Sequence, residues 1–217
     1  MRTLTREMQA QLTPAKALEI LKEGNKRFVN NLKINRNLLQ QLNETAVGQY
    51  PFAFILSCID SRTSAELIFD QGLGDIFSCR IAGNILNKDI LGSMEFASKI
   101  AGSKIIVVLG HTKCGAVKGA CDNVKMGNLS DLLARIQPAI DAALVTNENR
   151  VADSNDFMEN VAKLNVYLIL KQIPEQSPII AELIANDKVA LVGAMYNLET
   201  GTVEFYEDDM IDSNGSA

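Results

Sequence analysis

One histidine, no tryptophan and no excess of basic residues set the limits of this sequence. The single histidine, His111, excludes any mechanism or metal site built on two imidazoles. Lys plus Arg number 21 against 26 Asp plus Glu, a formal net charge of −5 with pI near 5.0. The basic footprint with which nucleic-acid binders neutralise phosphates is therefore missing. No apolar run approaches the ~20 residues that cross a bilayer, and the longest, around 104–110, has the length of a strand. Met1 to Glu7 lacks the apolar stretch of a secretory signal, so the expectation is a cytoplasmic protein that binds neither nucleic acid nor membrane. In that reducing compartment Cys58, Cys79, Cys114 and Cys121 are read as thiols rather than disulfides. No G-x-G-x-x-G follows the first predicted strand, which disfavours a Rossmann-type nucleotide binder.

What is present describes a globular chain. Apolar residues make up 47% and charged residues 22% of the 217 positions, enough for one large core. Thr13 suits an N-cap, Pro14 suits the first helical position, and Ala17, Leu18, Leu21 and Phe28 share a face, so 13–31 reads as a helix. Residues 32–48 are polar, with scattered leucines and no clear period. Apolar runs at Phe52–Leu56, Ile76–Ala82, Lys104–Gly110 and Val189–Ala194 read as buried strands. A short helix is predicted at 64–71, helical patterns at 88–101 and 114–125, and mostly helix from 129 to 185. That last stretch is broken near Pro138, through the polar residues 146–156, and near Pro174 and Pro178. Thr202–Tyr206 alternates after the turn Glu199-Thr200-Gly201 and reads as an antiparallel edge strand. Asp208 to Ala217 is acidic and poor in apolar residues and is expected to be disordered. The alternation implies an α/β fold, a mostly parallel sheet with helices on both faces, in a single domain over 1–217. Ligands of such sheets sit beyond the carboxyl ends of the strands.

Two motifs fall there. Cys58-Ile59-Asp60-Ser61-Arg62 follows the first strand, and His111-Thr112-Lys113-Cys114 follows the third. A lone cysteine at a strand end is most often a small buried hydrophobe, and Cys79 and Cys121 are read that way. Cys58, His111 and Cys114 together supply two thiolates and one imidazole. Catalytic zinc takes three protein ligands and leaves a fourth position for water, and Cys2His is among the known sets. Asp60 and Arg62, two apart in an extended loop, can lie on one side, where a guanidinium would hold a carboxylate ionised and oriented.

Cys58-x-Asp60-x-Arg62, then Arg80-Ile81-Ala82-Gly83-Asn84, then His111-x-x-Cys114-Gly115 resembles the beta class of carbonic anhydrases, and the resemblance runs from about residue 14 to 206. It implies zinc on Cys58, His111 and Cys114, with Asp60 and Arg62 as a catalytic dyad. It implies four parallel strands plus an antiparallel edge strand, an N-terminal helical arm within residues 1–48, and a homodimer or homotetramer. The plant-like subtype has a glutamine nine positions before the first zinc cysteine, where Gln49 stands. It has a phenylalanine three positions before the arginine of the second motif, where Phe77 stands, and an aromatic after the fourth strand, where Tyr196 stands. The other subtype has a regulatory bicarbonate site that uses a tryptophan three positions before the zinc cysteine. Here that residue is Ile55, although Arg80 and Tyr196 resemble the rest of the site.

The implied reaction is reversible hydration of carbon dioxide to bicarbonate and a proton. Zinc brings the pKa of bound water to about 7 in the carbonic anhydrase site with three histidines. Two thiolates donate more charge, so activity should rise toward alkaline pH. In this reading Asp60 orients the attacking oxygen, Gln49 bonds a substrate oxygen, and Phe77 and Tyr196 line an apolar slot. Two alternatives compete: a related zinc hydrolase acting on carbon disulfide or carbonyl sulfide, and a non-catalytic zinc-stabilised or redox-sensing protein with a closed four-ligand site.

Overall fold

A computed structural model describes residues 3–146 and 155–211. Its centre is one five-stranded sheet of β1 (Ala53–Ser57), β2 (Ile76–Arg80), β3 (Ile105–His111), β4 (Ala190–Tyr196) and β5 (Val203–Ile211). The spatial order is β2-β1-β3-β4-β5. The first four strands are parallel, and β5 is antiparallel to β4. After β1 the chain steps outward to β2, then returns to the other side of β1 for β3. The strand order therefore reverses between β1 and β3, the place where a crevice opens beyond the strand ends.

Every residue of β1, β3 and β4 is buried, because helices cover both faces. Phe54, Leu56, Ile106 and Val108 enter one core with Leu91, Val117, Val166 and Ile180. Their chain neighbours Ala53, Ile55, Ile105 and Val107 enter the other with Ala17, Leu18, Leu21 and Ile68. The first core lies under α5 (Lys88–Glu95), α6 (Gly115–Cys121), α7 (Gly127–Ala134), α8 (Gln137–Thr146), α9 (Asn155–Gln176) and α10 (Pro178–Ala185). The second lies under α2 (Pro14–Val29) and α4 (Ala65–Ile68). Helix α9 approaches the sheet closely over Gly193. A Cβ there would stand 2.9 Å from Leu170 Cδ1 and from Val166 Cγ1.

The N-terminal segment is in part a layer of this fold. Thr13 caps α2 by accepting from Lys16 N–H at 3.2 Å, and the apolar face of α2 is buried on the chain's own sheet. Two helices that periodicity does not reveal flank it: α1 (Arg6–Gln11) and α3 (Leu38–Thr45). Within this chain α3 buries only Gln41, and its short apolar face of Leu38, Leu39 and Leu42 is exposed. Its start is fixed by the Asn37 side chain, which accepts from Gln40 N–H at 3.0 Å.

Other expectations shift at their ends. The helix predicted over 88–101 is α-helical to Glu95 and continues as a wider π turn over Phe96–Ile100. Pro174 does not break α9. It sits in the last turn, and the helix stops at Gln176 before Ser177 caps α10. The acidic tail is not disordered throughout: Asp208 to Ile211 extend β5, with Ile211 opposite Leu191. Ladder hydrogen bonds come from backbone groups, so exposed acidic side chains do not prevent pairing. Residues 212–217, and most of the polar break predicted at 146–156, lie outside the described residues. Among those described, no helix is long and apolar enough to cross a membrane.

One buried ion pair ties the segment before α3 to the loop between α4 and β2. Asp70 (φ 46°) accepts from Arg27, Arg36 and the Ile34 N–H. The side chains of Asp70 and Arg36 are 2% and 8% exposed. Burial alone would raise the Asp70 pKa, but the two guanidiniums bring it below the usual 3.8. Asp70→Ala would strand the Arg36 charge and should cost about 3–5 kcal/mol, read as a fall in the urea midpoint. The lowered value sets the sign with pH. The pair's contribution is full above the usual carboxylate value and is lost as pH falls through the folded one.

Candidate metal centre

The reversal between β1 and β3 brings two chain segments together. Ser57 lies opposite Leu109 in the ladder, so Cys58 leaves β1 beside the last residues of β3, which ends at His111. Lys113 takes a left-handed conformation (φ 55°), and Cys114 becomes the N-cap of α6. Cys58 Sγ, Cys114 Sγ and a ring nitrogen of His111 all lie within 4.8 Å of one another, and all three residues are buried. Among the described residues no fourth Cys, His, Asp or Glu joins this group.

The donors suit a soft divalent cation. His111 Nδ1 stands 2.9 Å from the Thr112 carbonyl, which can only accept, so the proton is on Nδ1. That leaves the lone pair on Nε2, a buried atom with no hydrogen-bond partner. The sulfurs share one proton. A hydrogen bond from Cys114 holds Cys58 as the thiolate, down to about 4, with help from the Gly83 N–H against the cost of burial. Cys114 is pushed up by that same bond, by burial and by the Cys58 charge. Two adjacent thiolates are unfavourable without a cation between them, and zinc binds such sulfurs as thiolates.

Asp60 and Arg62 form the expected pair. Arg62 Nε donates to Asp60 Oδ1 at 2.9 Å and Nη2 to Oδ2 at 2.8 Å, while the Arg62 N–H donates to Oδ1 at 3.0 Å. These bonds take the Asp60 carboxyl down to about 2, against a smaller opposing effect of burial. Tyr196 also reaches the site, as the register partner of His111, and its backbone carbonyl accepts from the Thr112 N–H at 3.0 Å.

Gln49 and Phe77 are not brought to the cluster within the chain. Phe77 lines a groove of about 570 Å³ with Phe54, Cys79 and Phe96, lower on the sheet. Gln49 is exposed and lines another, with Leu42, Thr45 and Leu73. Cys79 and Cys121 are half-buried thiols, raised by burial, outside the donor group.

Sequence reasoning missed the residues that shape the loop. Arg80 Nε donates to the Cys58 carbonyl at 3.0 Å, and its Nη2 to the Asp60 carbonyl. The Thr63 hydroxyl faces the same two carbonyls at 3.0 and 2.9 Å. Arg80 is thus engaged with the backbone of the loop. The signal was present in Arg80-Ile81-Ala82-Gly83-Asn84, but a motif does not say which carbonyl an arginine will reach.

The family model described as carbonic anhydrase matches residues 53–203, from the start of β1 to the start of β5. The chain is 36% identical over 194 residues to carbonic anhydrase 2 of Mycobacterium tuberculosis, covering 87% of this chain and 90% of that protein. It is 35% identical over 199 residues to a carbonic anhydrase of Mycolicibacterium smegmatis, covering 88% and 92%. Among solved structures, the beta-carbonic anhydrase CcaA superposes with a TM-score of 0.71 at 27% identity, over 88% of this chain and 95% of that one. A tetrameric beta-carbonic anhydrase of Sordaria macrospora gives 0.71 at 25% identity, over 76% and 85%. The chain belongs to the carbonic anhydrase family, in its beta class. Enzymes of this class are carbonate dehydratases.

Two outcomes follow from the geometry. Cys114→Ala should abolish stoichiometric metal binding, whereas Cys121→Ala should leave it intact, both read by metal analysis of the purified protein. Arg62→Ala should move the Asp60 titration up from about 2 toward the usual 3.8, followed by carbon-13 NMR of its carboxyl. An Asp60 resonance that titrates identically in both proteins contradicts this pairing.

Proposed function

We propose that the protein catalyses zinc-dependent, reversible hydration of carbon dioxide to bicarbonate and a proton, as a cytoplasmic homo-oligomer. The observation that carries this is the convergence of two sulfurs and an unpartnered imidazole nitrogen within 4.8 Å at the strand ends. Cys58, His111 and Cys114 would hold the metal. When bound, zinc acidifies water so that a nucleophilic oxygen is available near neutral pH.

The chain's own groups do the rest. Asp60, ionised throughout the neutral range, can accept a hydrogen bond from the attacking oxygen and turn its lone pair toward carbon. Arg62 holds that carboxylate in place with both of its oxygens engaged, which favours Asp60 remaining off the metal, as in the plant-like subtype. Tyr196, buried beside His111, would wall the slot that receives an apolar substrate. Gln49 and Phe77 would contact substrate only at the site of a second copy of the chain, since neither reaches the cluster of its own. Among the described residues no fourth donor joins the cluster, which favours an open site over a closed structural one.

The test is zinc content per chain together with stopped-flow hydration of carbon dioxide. About one zinc per chain and hydration well above the uncatalysed rate are expected. Full zinc with no hydration would sink the enzymatic reading.

Proton export gives a second expectation. His111 is the only histidine and is committed to the metal, so none is left to relay protons near neutrality. Turnover should rise with buffer concentration, most steeply with imidazole-like buffers. A rate flat across buffer concentrations would reveal an internal relay instead.

A further inference from the structure

We infer that Asn165, on α9, is a positioning residue for the Cys58 sulfur, acting through Gly83. The inference rests on Cys58 being a metal ligand, as proposed above. The Gly83 N–H donates to Cys58 Sγ at 3.4 Å. The Gly83 carbonyl in turn accepts from Asn165 Nδ2 at 3.0 Å. Asn165 is 4% exposed and sits among Ala162, Val166 and Ile169 in the larger core, where an unbonded amide would be costly.

Gly83 has a left-handed conformation (φ 67°, ψ 19°), which glycine adopts and leaves with little resistance. No side chain can stiffen it, because a Cβ would stand 2.8 Å from Ile136 Cδ1 and 3.3 Å from Ala116 Cβ. Besides the Asn84 N–H to Ile81 carbonyl bond of its turn, a tether on its own carbonyl keeps its N–H aimed at the sulfur. An N–H donated to a thiolate fixes the sulfur lone pairs and draws off part of its charge, and such outer bonds tune metal sites. Asn165 comes from a helix that supplies no donor to the cluster, yet it sets the direction of one ligand atom.

The experiment is read on the metal, without turnover. Zinc affinity is measured by chelator competition in the parent protein, in Asn165→Leu, and in Ile173→Ala as a control that weakens the same helix two turns on. The sulfur-to-metal charge-transfer band is recorded for each protein with Co(II) in place of zinc. Asn165→Leu should bind zinc roughly 10-fold to 100-fold more weakly and shift the band. Ile173→Ala should lower the melting temperature and change neither. Should Asn165→Leu not fold, Asn165→Ala is judged by the same two readouts.

Parent-like affinity with an unshifted band in the Asn165 variant overturns the inference. So does an equal loss in Ile173→Ala, which would reduce the effect to general destabilisation. A parent that binds no divalent metal overturns this inference and the metal-site reading together. A parent that binds zinc but fails to hydrate carbon dioxide sinks the catalytic reading alone.

Discussion

The parallel pairing of β1 with β3 is the interaction on which the site depends. Cys58 and His111 lie 53 positions apart in the numbering, and neither can find the other by local folding. The ladder aligns Ser57 with Leu109, and the two strands then release their next residues into one crevice. That alignment is strongly specified, because both faces of both strands are buried. A slip of one residue would exchange Leu56 and Val108 with Ile55 and Val107 between two differently shaped cores. Core packing thus fixes the register, and the register fixes the separation of the candidate donors.

The loop that carries Cys58 and Asp60 has no helix or strand of its own to hold it. Its rigidity comes from side chains that bond its carbonyls: Arg80 from the end of β2, and Thr63 from the loop itself. Arg62 then holds the Asp60 carboxylate, and the Gly83 N–H meets the sulfur. These bonds hold the Cys58 and Asp60 carbonyls, the Asp60 carboxylate and the Cys58 sulfur in place beside His111 and Cys114. Metal sites are sensitive to such outer bonds because ligand direction is set at a distance from the ion.

The periphery obeys weaker constraints. α3 presents Leu38, Leu39 and Leu42 to solvent within one chain, and β5 carries Glu207, Asp208 and Asp209 along an open sheet edge. Edge charges are a known means of discouraging uncontrolled strand pairing. The buried Asp70–Arg36 pair supplies the specific attachment near α3, where apolar packing is thin.

Much of this was legible before any coordinates. β1, β3 and β4 announced themselves as apolar runs because a sheet covered on both faces needs no polar alternation, whereas β2, read from Ile76–Ala82 as equally buried, is an edge strand half-exposed beyond Ile76. The cluster of candidate donors was legible because Cys58, His111 and Cys114 all fall at or just beyond strand ends, and because only one histidine exists to be used. The Asp60–Arg62 pair could be read from a spacing of two residues, since it is a local contact. α1 and α3 were hidden because neither buries an apolar stripe. The end of the acidic strand was hidden because its ladder uses backbone atoms, which composition does not report. Tertiary structure alone decided that Arg80 clamps the loop, that Asn165 reaches Gly83, and that Gln49 and Phe77 stand away from the cluster of their own chain. Those outcomes depend on how helices and strands distant in sequence come to lie against one another, and no spacing of residues along the chain encodes that distance.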